Sequence, residues 1–298
     1  MSQFANWVAA DVGSPYPPAP GRYHLYVSRF CPFASRAVTV RSLKGLDDVI
    51  GMSVTDPVRH ESGWAFRLVP GATLDPINGW NHLAEGYEAT DPDYDSRVTV
   101  PVLWDVERGE IVSNDSGDIA VMLNDVFDEW AEEPDLDMYP VELRPQIDEL
   151  NDWIAEDLNK GVYRAGYART QEAYDVAVRT VFDALDRLDA MLADSRYLLG
   201  ARHTLSDWRL FPTLIRFDLV YHGHFRCNLR RIVDYPNLWP YLRDLYQTPR
   251  VAGTVDFDAI RRGYHCSESP LNAGQIVPIG PELDFLAPHD RAAIGTRS

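Results

Sequence analysis

Lysine is almost missing from this chain. Lys44 and Lys160 are the only two, against 45 acidic residues, and the formal net charge is −17. A field of that sign repels phosphate backbones and anionic lipid, so neither nucleic acid nor a membrane surface is expected as a partner. The basic side is nearly all arginine, which fits either a GC-rich genome or a salt-adapted host. Long apolar runs are missing too. No stretch of about 18 apolar residues is available to span a bilayer. The opening "MSQFANWVAADVG" carries Asp11 and lacks the basic start and apolar core of a signal peptide, so a cytoplasmic protein is expected. Cysteine is scarce: Cys31, Cys227 and Cys266 stand far apart, with no second cysteine close enough for a zinc knuckle or a dithiol motif. No metal is expected, and an odd cysteine count fits a reducing compartment better than a disulfide framework.

What is present is enough for two domains of ordinary size, since 298 residues with 45% hydrophobic and 24% charged side chains read as globular. "HLYVS" (24–28) is a short β-prone run followed at once by Cys31-Pro32. "ASRAVTVRSLKGL" spaces Ala37, Val40 and Leu43 as a helix that Gly45 stops, and "DVIGMSVT" is a second strand. The result is a β-α-β unit with a cysteine at its first strand-to-helix junction. Residues 57–96, rich in Pro, Gly, Asp and Trp without a steady period, read as a long ordered loop or insertion. "VTVPVLWD" (98–105) and "GEIVSND" (109–115) form a hairpin pattern, and "SGDIAVMLNDVF" is a helix opening at Ser116. Proline inside a strand pattern leaves a donor missing, which a cis Val100-Pro101 bond at the strand's start would accommodate.

From Pro140 the pattern is helical. Tyr174, Val178, Val181, Leu185, Leu188 and Leu192 make one apolar stripe, and Thr204 with Asp207 is a capping-box signature. Further helices fit 236–247 and 256–263. The expected architecture is a small α/β domain followed by an all-α C-terminal domain. The expected limits are an extension at 1–22, the α/β domain at 23–130, the helical domain at 138–266 and an irregular tail at 267–298.

Cys31 is the chemical focus. A thiol of ordinary pKa, about 8.5, is mostly protonated in the cytoplasm, but a helix N-terminus favours the anion, and Pro32 suits the first helical turn because it has no donor to waste. Arg36, one turn on, adds positive potential. Cys227 and Cys266 sit at no such junction and are expected to have no catalytic role. A thioredoxin-type dithiol would need a second cysteine where Ala34 stands, so the mixed disulfide of this monothiol must be resolved from outside. A small thiol such as glutathione is implied as cosubstrate, with no bound cofactor. Asp115 and Ser116 at a helix start suit the ammonium and carboxylate of a γ-glutamyl group. Read alone, Ser116 is an N-cap. His222 and His224 lack a third ligand nearby, which favours a pocket or packing role for them.

Cys-Pro-x-x, Val-Pro before a strand, Asp-Ser after the next one and a helical second half with Thr-x-x-Asp together resemble the glutathione transferase superfamily. The stretches "SLKGLDDVI", "GWAF", "RVTVPVLWD", "IVSNDS", "NKGVYRAGYARTQEAYD", "DWRLFPTLIRFDLVYHGHFRCNLRRIVDYPNLWPYLRDLYQTP" and "GPELDFLAPH" are similar to the glutathionyl-hydroquinone reductases, the Xi-class transferases, from about Tyr23 to the C-terminus. The resemblance implies that the α/β N-terminal domain is a thioredoxin-like, thiol-binding one ahead of the all-α C-terminal domain, and it implies thiol-dependent reduction of S-conjugated hydroquinones, with Cys31 as nucleophile and Tyr163 and Tyr264 as active-site tyrosines. It implies further that Trp64 lies over the bound thiol and that Val100 and Pro101 offer backbone groups to the thiol's cysteinyl part. Arg97 is a carboxylate partner on this reading, Phe33, Tyr167 and His224 line the substrate pocket, and the chain is a homodimer. The family usually reads Cys-Pro-Trp-Ala-His-Arg, where this chain has Phe33 and Ser35, and Asp115 replaces a Glu. Those departures leave glutathione, mycothiol and γ-glutamylcysteine open as the native thiol. A general thiol transferase or dehydroascorbate reductase, and a non-catalytic module of the same fold, are the rival readings.

Overall fold

In a computed structural model the described residues are 4–61, 63–267 and 271–294. The ends of the expected extension and tail, 1–3, 268–270 and 295–298, lie outside them. The chain divides into two compact units, Met1–Asp137 with Gly253–Val277, and Met138–Ala252 with Pro278–Ser298.

The first unit is built on a four-stranded sheet, β1 (Tyr23–Val27), β2 (Gly51–Val54), β3 (Val102–Asp105) and β4 (Glu110–Ser113), in the order β2-β1-β3-β4. β1 and β2 are parallel across α1 (Pro32–Leu43), while β3 is antiparallel to both β1 and β4. This is the expected thioredoxin-like arrangement. β3 begins just after a cis Val100-Pro101 bond, so Pro101 stands outside the ladder, where its missing N–H leaves no gap. The β3–β4 turn is held by Asp105, whose Oδ1 accepts from the Glu107 and Arg108 amides while its Oδ2 pairs with Arg22 at 2.6 Å.

The expected one-sided stripe on α1 is too narrow: almost the whole helix is buried, including Arg36, Thr39 and Arg41. Two elements account for this. α3 (Ser116–Asp125) packs along α1, and Thr254, on the returning stretch of chain, meets it at Thr39. Arg29 donates to the Thr254 carbonyl at 3.1 Å, the Thr39 and Thr254 hydroxyls lie 3.5 Å apart, and the Arg59 amide donates to Ser267 Oγ at 2.6 Å. By these contacts residues 253–277, expected in the helical domain and tail, group with the sheet. Buried Arg41 is satisfied locally, by the Ile50 carbonyl at 2.7 Å and by Asp47.

The 57–96 insertion contains a short helix, α2 (Ala84–Thr90), that has no sequence period because it is seven residues long with a glycine inside. Gly86 is needed there: a Cβ would come within 2.6 Å of the Trp80 ring. Asp75 anchors the preceding loop, accepting from the Tyr26 hydroxyl at 3.0 Å and from the Ile77, Asn78 and Trp80 amides.

The second unit is helical: α4 (Arg144–Ile154), α5 (Gly161–Gly166), α6 (Gln171–Met191), α7 (Leu205–Arg216) and α8 (Leu238–Gln247). α6 buries Val178, Val181, Leu185 and Leu188 as its stripe requires, each fully buried side chain contributing roughly 1.5–3 kcal/mol. Tyr174, expected on that stripe, is only half-buried. Asp207 accepts from the Thr204 amide and hydroxyl, the Leu198 amide and the Tyr241 hydroxyl, so burial raises its pKa against four stabilising bonds. The helix that opens after Thr204 gives way to a wider π-type turn at Phe217–Tyr221, and a similar turn at Ala155–Asn159 separates α4 from α5. The irregular tail is tied down, with Gln247 donating to the Phe285 and Ala287 carbonyls and buried Arg291 donating to Leu192 O at 2.7 Å. The first unit also carries α9 (Phe257–Ser267).

Candidate active site

Cys31 occupies the N-cap of α1, with Pro32 at the first helical position. The residue is 8% exposed, and its S–H donates to the Val100 carbonyl at 3.8 Å, beside the cis bond. By helix geometry the first-turn amides of α1 are directed toward this end, a favourable field for sulfur carrying negative charge. Ser35 donates its hydroxyl back to the Cys31 carbonyl at 3.0 Å, so it fixes the turn of chain that presents the sulfur.

Cys31 opens onto a cavity of about 510 Å³. Of the residues expected from the sequence, Phe33, Trp64, Arg97, Val100, Pro101, Asp115 and Ser116 line it with Cys31. Trp64 is held by a bond from its indole N–H to Val98 O at 3.2 Å. At the start of α3 the capping roles differ from expectation. Asp115 is the N-cap, accepting from the Gly117 and Asp118 amides at 2.8 and 3.1 Å, and Ser116 is the first helical residue. Ser116 Oγ accepts from Arg36 at 3.2 Å, and the Arg36 guanidinium lies 4.9 Å over the Phe33 ring. Arg36 therefore ties the nucleophile's helix to the N-terminus of α3. Arg97 is exposed at the cavity rim.

A carboxylate, a hydroxyl, helix N-termini and a rim arginine around one sulfur suit a small zwitterionic thiol, with its ammonium at Asp115 and a carboxylate at Ser116. The sequence did not single out Tyr94, Ser96, Val98, Thr99 and Asn114, which complete the wall. Their only signal was position beside Val100 and Asp115.

Tyr264 lies in the same unit, edge-on to Phe30 at 5.5 Å, and Phe30 in turn packs on Trp64. The glycine before it explains "RRGYHCS": a Cβ on Gly263 would sit 2.3 Å from the Phe30 ring. The residue preceding the nucleophile is thus seated directly on α9.

Tyr163, Tyr167 and His224 lie in the second unit, gathered around Phe225. Tyr163 is 5.3 Å and Tyr167 5.5 Å from that ring, and Tyr221 and His224 stack on it. Gly166 again makes room, since a Cβ there would lie 2.5 Å from Phe225 Cγ. Burial and the Arg226 charge hold the His224 pKa below the usual imidazole value, which favours a neutral ring at pH 7. Burial pushes the Cys227 thiol up to about 12 and raises that of Cys266, so neither is disposed to act as a thiolate. Among the described residues no cluster of three or more His, Cys, Asp or Glu side chains is arranged to hold a metal, and no helix is long and apolar enough to cross a membrane.

Comparison with known proteins gives the family. Family models for the glutathione S-transferase N-terminal and C-terminal domains match residues 30–126 and 171–244. The chain is 48% identical to the glutathionyl-hydroquinone reductase YqjG of Escherichia coli K12, over 97% of this chain and 90% of that one. A Xi class GST from Natrialba magadii superposes with a TM-score of 0.96 at 48% identity, covering 98% of this chain and 91% of the other. The glutathione-bound structure of the E. coli protein superposes with a TM-score of 0.93 at 47% identity, covering 97% and 96%.

Proposed function

Because the chain belongs to the Xi class of glutathione transferases, the glutathionyl-hydroquinone reductases, we propose that it cleaves the aryl carbon–sulfur bond of a glutathionyl-hydroquinone with Cys31 as nucleophile. In the first step the Cys31 thiolate attacks the thioether sulfur, a sulfur–sulfur bond forms, and the carbon–sulfur bond breaks. The electron pair goes to the ring carbon, which takes a proton and leaves as free hydroquinone. In the second step an external thiolate attacks the mixed disulfide, releases a small disulfide and regenerates Cys31. The ring is reduced by two electrons while the thioether sulfur and one external thiol sulfur become a disulfide, so atoms and electrons balance. An aryl carbanion is a poor leaving group without a proton donor, and Tyr163 and Tyr264 are the residues assigned to that step. Trp64, Val100 and Pro101 hold the cysteinyl part of the thiol, Phe33 lines the same cavity, and Tyr167 and His224 stand around Phe225 in the second unit.

The observation that carries the reading is the monothiol Cys31 at a helix N-terminus inside a cavity with a carboxylate and a serine at the start of a second helix. Asp115 and Ser116 match the γ-glutamyl end shared by glutathione and γ-glutamylcysteine. Glutathione's additional glycine carboxylate finds a partner in Arg97, which makes glutathione the first thiol to test. Of the two departures next to Cys31, Phe33 lines the cavity and is the one able to alter thiol choice. Kinetics with glutathione, γ-glutamylcysteine and mycothiol against one glutathionyl-hydroquinone, with intact-mass detection of the Cys31 adduct, test this. Lower kcat/KM with glutathione than with mycothiol would overturn the γ-glutamyl assignment. Turnover of small disulfides or dehydroascorbate but no hydroquinone release would favour the general thiol transferase. A homodimer in a reducing cytoplasm completes the reading, and sedimentation at working concentration checks the dimer.

A further inference from the structure

The N-terminal segment was expected only as an extension, yet its first described residues are built into the sheet edge behind the thiol cavity. The Asn6 amide donates to Val112 O at 2.9 Å, and Ala5 pairs antiparallel with Ser113. At Phe4 the contact becomes specific. Its amide donates to Asn114 Oδ1 at 3.4 Å, and its carbonyl accepts from the Asn114 amide at 3.3 Å. The Phe4 ring stacks on Tyr94 at 5.8 Å and meets Tyr87 edge-on at 5.7 Å. Tyr94 and Asn114 both line the cavity, from opposite stretches of chain.

Tyr87, fully buried on α2, joins the same two stretches through one hydroxyl. It donates to Thr99 O at 2.8 Å and accepts from the Thr99 amide and from Asn114 Nδ2, each at 3.2 Å. A phenol has one proton and two lone pairs, so this hydroxyl is saturated. Asn114 Nδ2 also reaches Thr99 Oγ1 at 3.4 Å, and the Tyr94 hydroxyl donates to Arg97 O at 2.8 Å. Thr99 immediately precedes Val100, whose carbonyl faces Cys31, and Asn114 immediately precedes Asp115, the N-cap of α3.

We propose that Phe4 and Tyr87 are positioning residues for thiol binding, a brace that fixes the spacing between the Arg97–Val100 wall and the Asp115–Ser116 wall. Neither needs to touch the thiol. They hold the backbone from which the carbonyl, the carboxylate and the hydroxyl are presented, and a binding site loosened by a fraction of an ångström loses affinity before it loses fold. The inference rests on the thiol reading above.

The test is glutathione affinity by isothermal titration, with the kcat and KM for glutathione, in Phe4→Ala, Phe4→Tyr and Tyr87→Phe. Loss of one or two net hydrogen bonds or of the ring contact is expected to weaken glutathione by about tenfold in Phe4→Ala and in Tyr87→Phe. Saturating kcat should stay within about twofold, because the brace is remote from the reacting sulfur. Phe4→Tyr, which keeps the ring, should restore affinity. Unchanged affinity in both variants overturns the proposal, as does a fall in kcat with affinity intact, which a merely structural role would give. Should Phe4→Ala fail to fold, the nearly isosteric Tyr87→Phe decides alone. If the wild-type chain binds no glutathione, the thiol reading itself is overturned and this inference goes with it; if it binds and the variants match it, only the brace is wrong.

Discussion

Around Cys31 the chain presents backbone ends and polar atoms: the N-termini of α1 and α3, the Val100 carbonyl, the Asp115 carboxylate and Ser116 Oγ. Around Phe225 it presents ring faces, from Tyr163, Tyr167, Tyr221 and His224, with glycine at Gly166 where a side chain would not fit. The first set suits a partner whose charges are fixed and whose sulfur must be aimed. The second suits a flat apolar ring that can vary. On the proposed reading, changes in the two regions should separate in kinetics.

The sharpest cut is at the sulfur. Cys31→Ser should lower turnover by at least about 10³-fold while leaving glutathione binding measurable, since one atom of the reaction is gone and the polar cavity is not. Retention of more than a tenth of the activity would assign the nucleophile elsewhere. Next come the tyrosines. In Tyr163→Phe and Tyr264→Phe the true proton donor should lose about 10²–10⁴-fold in hydroquinone release and little in exchange with a small disulfide. Losses below threefold in both would remove tyrosine from the proton-transfer step.

An effect of intermediate size belongs to the sheet beneath the thiol site. His24 is buried against Ser53, and desolvation pushes its pKa down to about 4. Because the unfolded chain binds a proton here near pH 6.5 and the fold does not, this histidine's stabilising contribution is complete above about pH 6.5 and is lost as pH falls toward 4, on the order of 3 kcal/mol. Urea unfolding at pH 7 and 4.5 should show a smaller acid loss in His24→Gln than in the wild type; equal losses would contradict it. In the aromatic region Gly166→Ala should cost about 1–3 kcal/mol from crowding Phe225 and raise the KM for the conjugate more than that for glutathione. The smallest expected change is Ser116→Ala, which should raise the KM for glutathione and for the conjugate alike, by about tenfold. If only one of the two rose, the shared peptide site would be the wrong assignment.

Features set by neighbours in sequence were legible in the sequence itself. Strand, Cys31, Pro32 and helix announced themselves, as did the Thr204–Asp207 box, because each depends on a few adjacent residues. Tyr163 and Tyr264 were visible only through family resemblance, since tyrosine carries no local signature of a site. Contacts made by chain returning from afar were not legible. Residues 253–277 join the first unit through Arg29, Thr39 and Arg59. Likewise Phe4 pairs with Asn114 more than a hundred residues away. α2 escaped because seven residues with an internal glycine make no readable period, and Asp115 was not recognised as the cap of α3 because the adjacent serine is an equally good one.

The scarcity of lysine has a practical consequence. Lys44 is wholly buried, paired with Asp128 at 2.5 Å and bonded to Leu136 O at 2.9 Å, whereas the Lys160 side chain is 59% exposed beside Glu156. An amine-directed dye or resin therefore meets one accessible lysine, apart from the chain's own α-amino group. That lysine lies three residues before Tyr163. The molecule carries a nearly unique handle for a reporter next to its aromatic cluster, and conjugation chemistry that scatters over most proteins should give a close to uniform product with this one.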